Sequence, residues 1–211
     1  MNQKKKGHQK QKFNYRKFLG KYKLCSHYRQ PVAIGGRQIY ASAYYDAPAI
    51  IPEGLPEPAL QVYLDPAWLE PINMPILTCG LRKAIPSPTI PTIYVPWYDA
   101  RGLPLPTLHW VITTILEELE KGKIVELGCS GGHGRTGTVL SCLLVEAEGL
   151  DPKDAINEVR KRYCQEAVEA ISQVTSIYAF AGVDWLRATN EWAELDTSQS
   201  LAGDMWYGES W

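Results

Sequence analysis

The ten residues Gly128-Cys129-Ser130-Gly131-Gly132-His133-Gly134-Arg135-Thr136-Gly137 constrain this chain more than any other stretch. Residues 123–127 ahead of them, Lys-Ile-Val-Glu-Leu, read as a short strand, and residues 135–147 behind them read as a helix. The backbone must therefore pass from strand to helix through a turn made mostly of glycine. Few folds use such a turn without a ligand-binding purpose.

Where a loop enters the N-terminus of a helix, several backbone N–H groups point inward and the helix dipole adds partial positive charge. The concavity suits a phosphate dianion, and Ser130, Gly131, Gly132, His133, Gly134 and Arg135 are its expected lining. Glycine lets the backbone wrap that closely. The same field favours a thiolate at Cys129, which makes that residue the expected nucleophile. Arg135 brings a permanent charge on a planar fork that can hold two phosphate oxygens and keep them as the phosphorus becomes trigonal bipyramidal. Lysine offers no such fork. His133 could tune the pocket or touch substrate, or could simply face solvent. His8, His27 and His109 carry no catalytic expectation.

Around this loop the sequence orders strands first and helices later. Residues 38–43, 59–64 and 92–95 read as strands, separated by Pro-rich connections at 48–58 and 71–91. A helix is expected at 107–121, where Leu108, Val111, Ile112, Ile115, Leu116 and Leu119 recur at helical spacing and Gly122 is a natural stop. Asp151 and Pro152 read as the cap and first residue of a helix that ends near Arg162. A last helix is expected over about 166–187, carrying Ile171, Val174, Ile177, Tyr178 and Phe180. The fold class is α/β, a central and mostly parallel sheet of four or five strands flanked by helices, with the glycine loop at the carboxyl end of the central strand.

With the loop written as Cys, five residues, Arg, Thr and Gly, the chain resembles the protein-tyrosine and dual-specificity phosphatase superfamily, closest to its small kinase-associated and dual-specificity members. The resemblance covers about residues 33–187. It implies an aspartic general acid on a loop some thirty residues before the cysteine, and Asp99, within 96–104, stands 30 residues before Cys129. It also implies that the Thr136 hydroxyl donates to the Cys129 sulfur and helps it leave, and that Gln173, in the segment 167–173, positions water. The implied reaction is hydrolysis of a phosphomonoester through a phosphocysteine, with no metal and no cofactor. One departure stands out: the family places His before the cysteine, and here that position is Gly128. The departure keeps a catalytically weak, phosphate-binding pseudophosphatase as an alternative.

Charge is segregated along the chain. Eleven Lys and Arg precede the first acid, Asp46, and the other eleven of the 22 face all 23 acids. Residues 1–30 read as a basic arm with interleaved Phe13, Tyr15, Phe18 and Tyr22, a pattern suited to nucleic acid or an anionic surface, or to plain solvation. An RNA 5′-phosphatase therefore remains a second alternative to a phosphoprotein substrate. The domain is expected at 31–190 and a tail with Trp206, Tyr207 and Trp211 at 191–211. Residues 1–6 are polar and basic with no apolar segment after them, and no apolar run reaches the roughly 20 residues of a membrane span. A cytoplasmic, reducing location is expected. Five widely spaced cysteines, Cys25, Cys79, Cys129, Cys142 and Cys164, match neither a disulfide framework nor paired metal ligands, and Cys142 falls on the apolar face of its helix. Trp97 and Trp110 read as packing or hinge residues.

Overall fold

The computed structural model describes residues 27, 29–43, 56–65 and 90–195. Five strands form one sheet in the order β1-β2-β5-β3-β4. Strands β1 (Gln30–Ile34) and β2 (Arg37–Ala43) are antiparallel, with Ile34 opposite Arg37. The two residues between them, Gly35 and Gly36, have φ of 52° and 78°, the left-handed pair that a tight hairpin turn demands. Strands β3 (Leu60–Tyr63), β4 (Thr92–Tyr94) and β5 (Val125–Cys129) are parallel to β2 and to one another. The sheet is thus mostly parallel, and β5 lies at its centre with Ala43 paired to Cys129 and Tyr63 to Gly128.

Every residue of β5 is buried, as a parallel strand covered on both faces requires. One of them is Glu126. Its carboxylate accepts from Ser42 Oγ on β2 at 2.9 Å and from Gln61 Nε2 on β3 at 3.1 Å, and it pairs with Arg29 Nε at 3.3 Å. A charge at mid-sheet is tolerable because both neighbouring strands and a buried guanidinium satisfy it.

The helices are α1 (Leu105–Glu120), α2 (Gly134–Glu148), α3 (Pro152–Arg162), α4 (Ile171–Phe180) and α5 (Trp185–Leu195). Helix α1 buries Leu108, Val111, Ile112, Ile115 and Leu119, the stripe its spacing predicts. Helix α2 is buried from Gly134 through Leu144, Cys142 included, and burial pushes the Cys142 thiol up from its ordinary range. Asp151 caps α3 by accepting from the Lys153 N–H at 3.2 Å, with Pro152 in the first turn. Among the described residues no helix is long and apolar enough to cross a membrane.

The structure corrects four expectations. The single helix expected over 166–187 is two: Gln173 Oε1 accepts from the N–H groups of Glu169 and Ala170 at the start of α4, and Gly182, at φ 71°, ends the segment before Asp184 Oδ1 accepts from Leu186 N and α5 begins. Helix α5 runs to a buried Leu195, past the expected domain limit at 190. At the other end, buried His27 and Arg29 already belong to the body, so the expected arm of residues 1–30 overruns it. Trp110, expected to pack or to act as a hinge, is 52% exposed on α1, while Trp97 is buried. The remainder of the arm, residues 1–26 and 28, the tail from 196, Cys25 and Cys79 lie outside the described residues.

Glu148 ends α2 and ties three elements together. Its carboxylate takes a bidentate pair from Arg162 at 2.7 and 2.9 Å and accepts from Gly35 N at 2.9 Å, while Arg162 also donates to Ala33 O at 3.0 Å. The hydrogen bonds from Arg162 hold the Glu148 carboxyl below its ordinary range, so this stability is present above the unfolded carboxylate value and is lost as pH falls through the folded one. Replacing Glu148 by Gln is expected to lower stability by about 1–2 kcal/mol at neutral pH. Thermal melts of the two proteins should differ at pH 7 and converge only as pH falls through the lowered Glu148 value, below the ordinary carboxylate range.

Candidate active site

Strand β5 delivers Cys129 as its last residue, and the chain then bends through 130–133 into the first turn of α2. Gly132 has φ of 75°, a conformation L side chains rarely adopt. The loop is braced from below: Tyr163 Oη, just beyond α3, donates to Gly132 O at 2.6 Å, and Gly137 N donates to His133 O at 2.7 Å. Thr136 Oγ1 donates to Cys129 Sγ at 3.2 Å. Cys129 is almost wholly buried, Gly132 and Gly134 are buried, Ser130 and His133 are half-buried and Gly131 is exposed.

Arg135 leaves the first turn of α2 with its side chain buried. Nη1 donates to Trp97 O at 2.8 Å and lies 3.6 Å from Asp65 Oδ2, while Nη2 lies 3.4 Å from Asp99 Oδ1. The two carboxylates differ in access. The Asp65 side chain is 6% exposed and that of Asp99 is 72% exposed. Asp65 therefore compensates a buried cation, and Asp99 alone of the pair faces the solvent side where another molecule could meet it.

The segment carrying Asp99 is held at both ends. Trp97 is buried and its Nε1 donates to Arg101 O at 2.7 Å, closing a turn around Asp99. Ala100 has φ of 51°, and its carbonyl accepts from Ser172 Oγ of α4 at 2.7 Å. Arg135, Trp97 and Ser172 thus join the Asp99 segment to the cysteine loop and to α4. The structure brings Thr136 onto Cys129 and Asp99 onto Arg135, at the two ends of the same loop.

Gln173 is fully buried behind the loop. A Cβ built on Gly134 would lie 2.4 Å from its Nε2, so this amide packs directly on the start of α2. With Oε1 occupied at the start of α4, only Nε2 is left to face the loop. His133 Nδ1 lies 3.4 Å from Glu169 Oε1. Asp65 has no motif to announce it; the signal that could have found it is its place just past the carboxyl end of a parallel strand, where open α/β sheets gather their ligand contacts.

A glycine-lined loop thus joins a buried parallel strand to a helix in an α/β fold, with Cys129 and Arg135 at its ends. Residues 100–183 match the family described as PTP-SAK: Swiss Army Knife protein, DSP-PTPase phosphatase domain. The uncharacterized protein MJ0215 of Methanocaldococcus jannaschii is 42% identical over 85 residues, 40% of this chain and 51% of that protein. The chain spans about half the length of the curated relatives it matches. Tk-PTP in its active form shares the fold with a TM-score of 0.53 at 22% identity, over 72% of this chain and 97% of that one. Kinase associated phosphatase, with its catalytic site cysteine replaced by serine, superposes with a TM-score of 0.54 at 16% identity, over 72% and 94%. Residues 100–183 are thus similar to the dual-specificity and protein-tyrosine phosphatase domain family, and the fold is the one these solved phosphatases share.

The loop leaves no room for a side chain at its bend. A Cβ on Gly132 would lie 3.0 Å from Tyr163 Oη and 3.1 Å from Ala43 Cβ and His27 Cβ, besides forcing a strained φ. Gly132→Ala is expected to lower stability by about 1–3 kcal/mol in urea unfolding.

Proposed function

We propose that the chain is a metal-independent phosphatase that hydrolyses phosphomonoesters, of phosphotyrosine or phosphoserine and phosphothreonine in proteins, through a phosphocysteine intermediate. The observation that carries this reading is Arg135, whose buried guanidinium links the loop bearing Cys129 to the segment bearing Asp99.

The Cys129 thiolate attacks phosphorus in line, forming the S–P bond as the ester P–O bond breaks. Protonated Asp99 gives its proton to the departing oxygen. Two phosphoryl oxygens take the outward edge of Arg135, which displaces Asp99 from Nη2 and frees it to reach the leaving group, while Nη1 stays on Trp97 O. The N–H groups of 130–135 and the guanidinium meet the charge on the equatorial oxygens. In the second half Asp99 takes a proton from water, the oxygen attacks phosphorus, and the S–P bond breaks with the electron pair returning to sulfur. Thr136 Oγ1, already on Cys129 Sγ, stabilises that thiolate as it leaves. Ser130, Gly131, Gly132, His133 and Gly134 supply the phosphate cradle, and Gln173, buried against Gly134, acts on the attacking water only through the loop it supports.

The pseudophosphatase reading is favoured by one specific feature, Gly128 in place of the family's histidine. Most of the basic arm lies outside the described residues, so a nucleic-acid or anionic-surface partner, or an RNA 5′-phosphate substrate, rests on charge pattern alone. A cytoplasmic site of action is the companion expectation.

The deciding measurement is hydrolysis of phenyl phosphate in chelator, whose poor leaving group needs a proton. Cys129→Ser is expected to abolish turnover, Asp99→Asn to lower kcat by about 10²–10⁴-fold and flatten its pH profile, and Arg135→Lys to lower kcat/KM by about 10²–10³-fold. A folded wild-type protein that binds vanadate yet turns nothing over would sink the enzyme reading and leave the phosphate-binding one.

A further inference from the structure

Beside the cysteine loop three metal-binding side chains meet, of which the phosphatase reading uses only His133, for its place in the cradle, and leaves its imidazole and the other two without a task. The three are His27, ahead of β1, His133, at the end of the loop, and Cys164, just past α3. Their ligand atoms all lie within 4.8 Å of one another, and no other group of three or more such residues assembles among the described residues. We propose that His27, His133 and Cys164 form a binding site for a zinc-class divalent cation, tying the phosphate loop to the body of the fold.

The donor set selects the ion. Two imidazoles and a thiolate suit zinc and disfavour magnesium or calcium, which take oxygen. Tetrahedral zinc needs ligand atoms roughly 3.5 Å apart, given bonds of about 2.1 Å to nitrogen and 2.3 Å to sulfur. Side-chain rotations that close each gap by about an ångström reach that spacing. His27 is 3% exposed and Cys164 6%, so two of the three ligands are already desolvated. Their neighbours are compact too: the His27 ring meets that of His133 edge-on, with centroids 4.6 Å apart at 87°, and that of Tyr163 at 4.8 Å.

The surroundings orient the ligands as a metal site's outer groups do. Glu169 Oε1 lies 3.4 Å from His133 Nδ1, which leaves Nε2 to turn inward, and Nε2 is buried with no hydrogen-bond partner. The Glu166 N–H donates to Cys164 Sγ at 3.3 Å, a contact that favours the thiolate. On binding, the thiol proton of Cys164 passes to solvent and sulfur donates its pair to the ion, so affinity rises with pH. Three protein ligands leave the fourth position to water. The ligands come from segments more than a hundred residues apart at the extremes, which is why no sequence spacing announces them.

The site does not depend on turnover, and its test is read without it. Cobalt(II) serves as the spectroscopic stand-in for zinc, in a Cys129→Ser protein stripped with chelator so that the loop thiol cannot compete. The expected result is one equivalent of cobalt with a sulfur-to-metal charge-transfer band and visible bands of tetrahedral intensity, displaced by zinc. Adding Cys164→Ser should abolish the charge-transfer band, and adding His27→Gln should weaken cobalt binding by at least about tenfold. Metal-free melting curves establish that each protein is folded before titration. No band in folded Cys129→Ser protein overturns the proposal outright, whatever the other variants do. A band that survives Cys164→Ser, or binding unmoved by His27→Gln, overturns it as well.

Discussion

A permanent cation buried at the start of a helix is the constraint around which this molecule is organised. Arg135 cannot shed its proton, so its guanidinium must find partners wherever the fold puts it. It finds three on two segments: Asp65 just past β3, and the Trp97 carbonyl and Asp99 on the loop between β4 and α1. Asp65 is enclosed and permanent. Asp99 is open, and its hold on Nη2 at 3.4 Å is the weaker, solvent-facing one. A buried cation with one enclosed and one open carboxylate partner is the arrangement on which the proposed phosphate clamp rests.

The sheet makes that arrangement rigid. Cys129 sits at the end of a strand flanked on both sides by parallel neighbours, so its position is fixed by ladders to Ala43 on one side and, one residue earlier, to Tyr63 on the other. Glu126, three residues back, bonds both flanking strands and pins the register from within. A one-residue slip would turn Glu126 away from these partners and leave a charge buried without them. The polar cluster at mid-strand therefore does for β5 what a hydrophobic pattern alone does less sharply.

What was legible in the sequence was local. The loop, the strand before it and the helix after it are contiguous, and Asp99 lies on a segment whose distance from Cys129 is set by one helix and one strand. The Asp151 cap and the α1 stripe are likewise written within a few residues. What was missed depended on distant chain. The β1 hairpin has only Gly35-Gly36 to signal it, and its strand borders a basic stretch that reads as an arm. Asp65 matters through Arg135, 70 residues on, and the non-helical stretch at 164–170 is held by Arg160, which periodicity does not see.

The non-helical stretch at 164–170, which delays the start of α4, is held in place against local strain. Val168 is fully buried at φ 64°, a conformation that costs a β-branched residue about 1–3 kcal/mol. Arg160 holds it open: Nε donates to Ala167 O at 3.1 Å, Nη2 to Val168 O at 3.3 Å, and Nη1 reaches Leu195 O at the end of α5 at 2.6 Å. The opened backbone packs on Gly137, where a Cβ would come within 2.8 Å of Val168 N. It also carries Glu169 to His133 and starts the helix that brings Gln173 behind Gly134 and Ser172 to Ala100. A straight helix through 166–187 could not present all of these to the loop. The strain at Val168 is offset by the contacts that let one short segment support both the cysteine loop and the Asp99 segment.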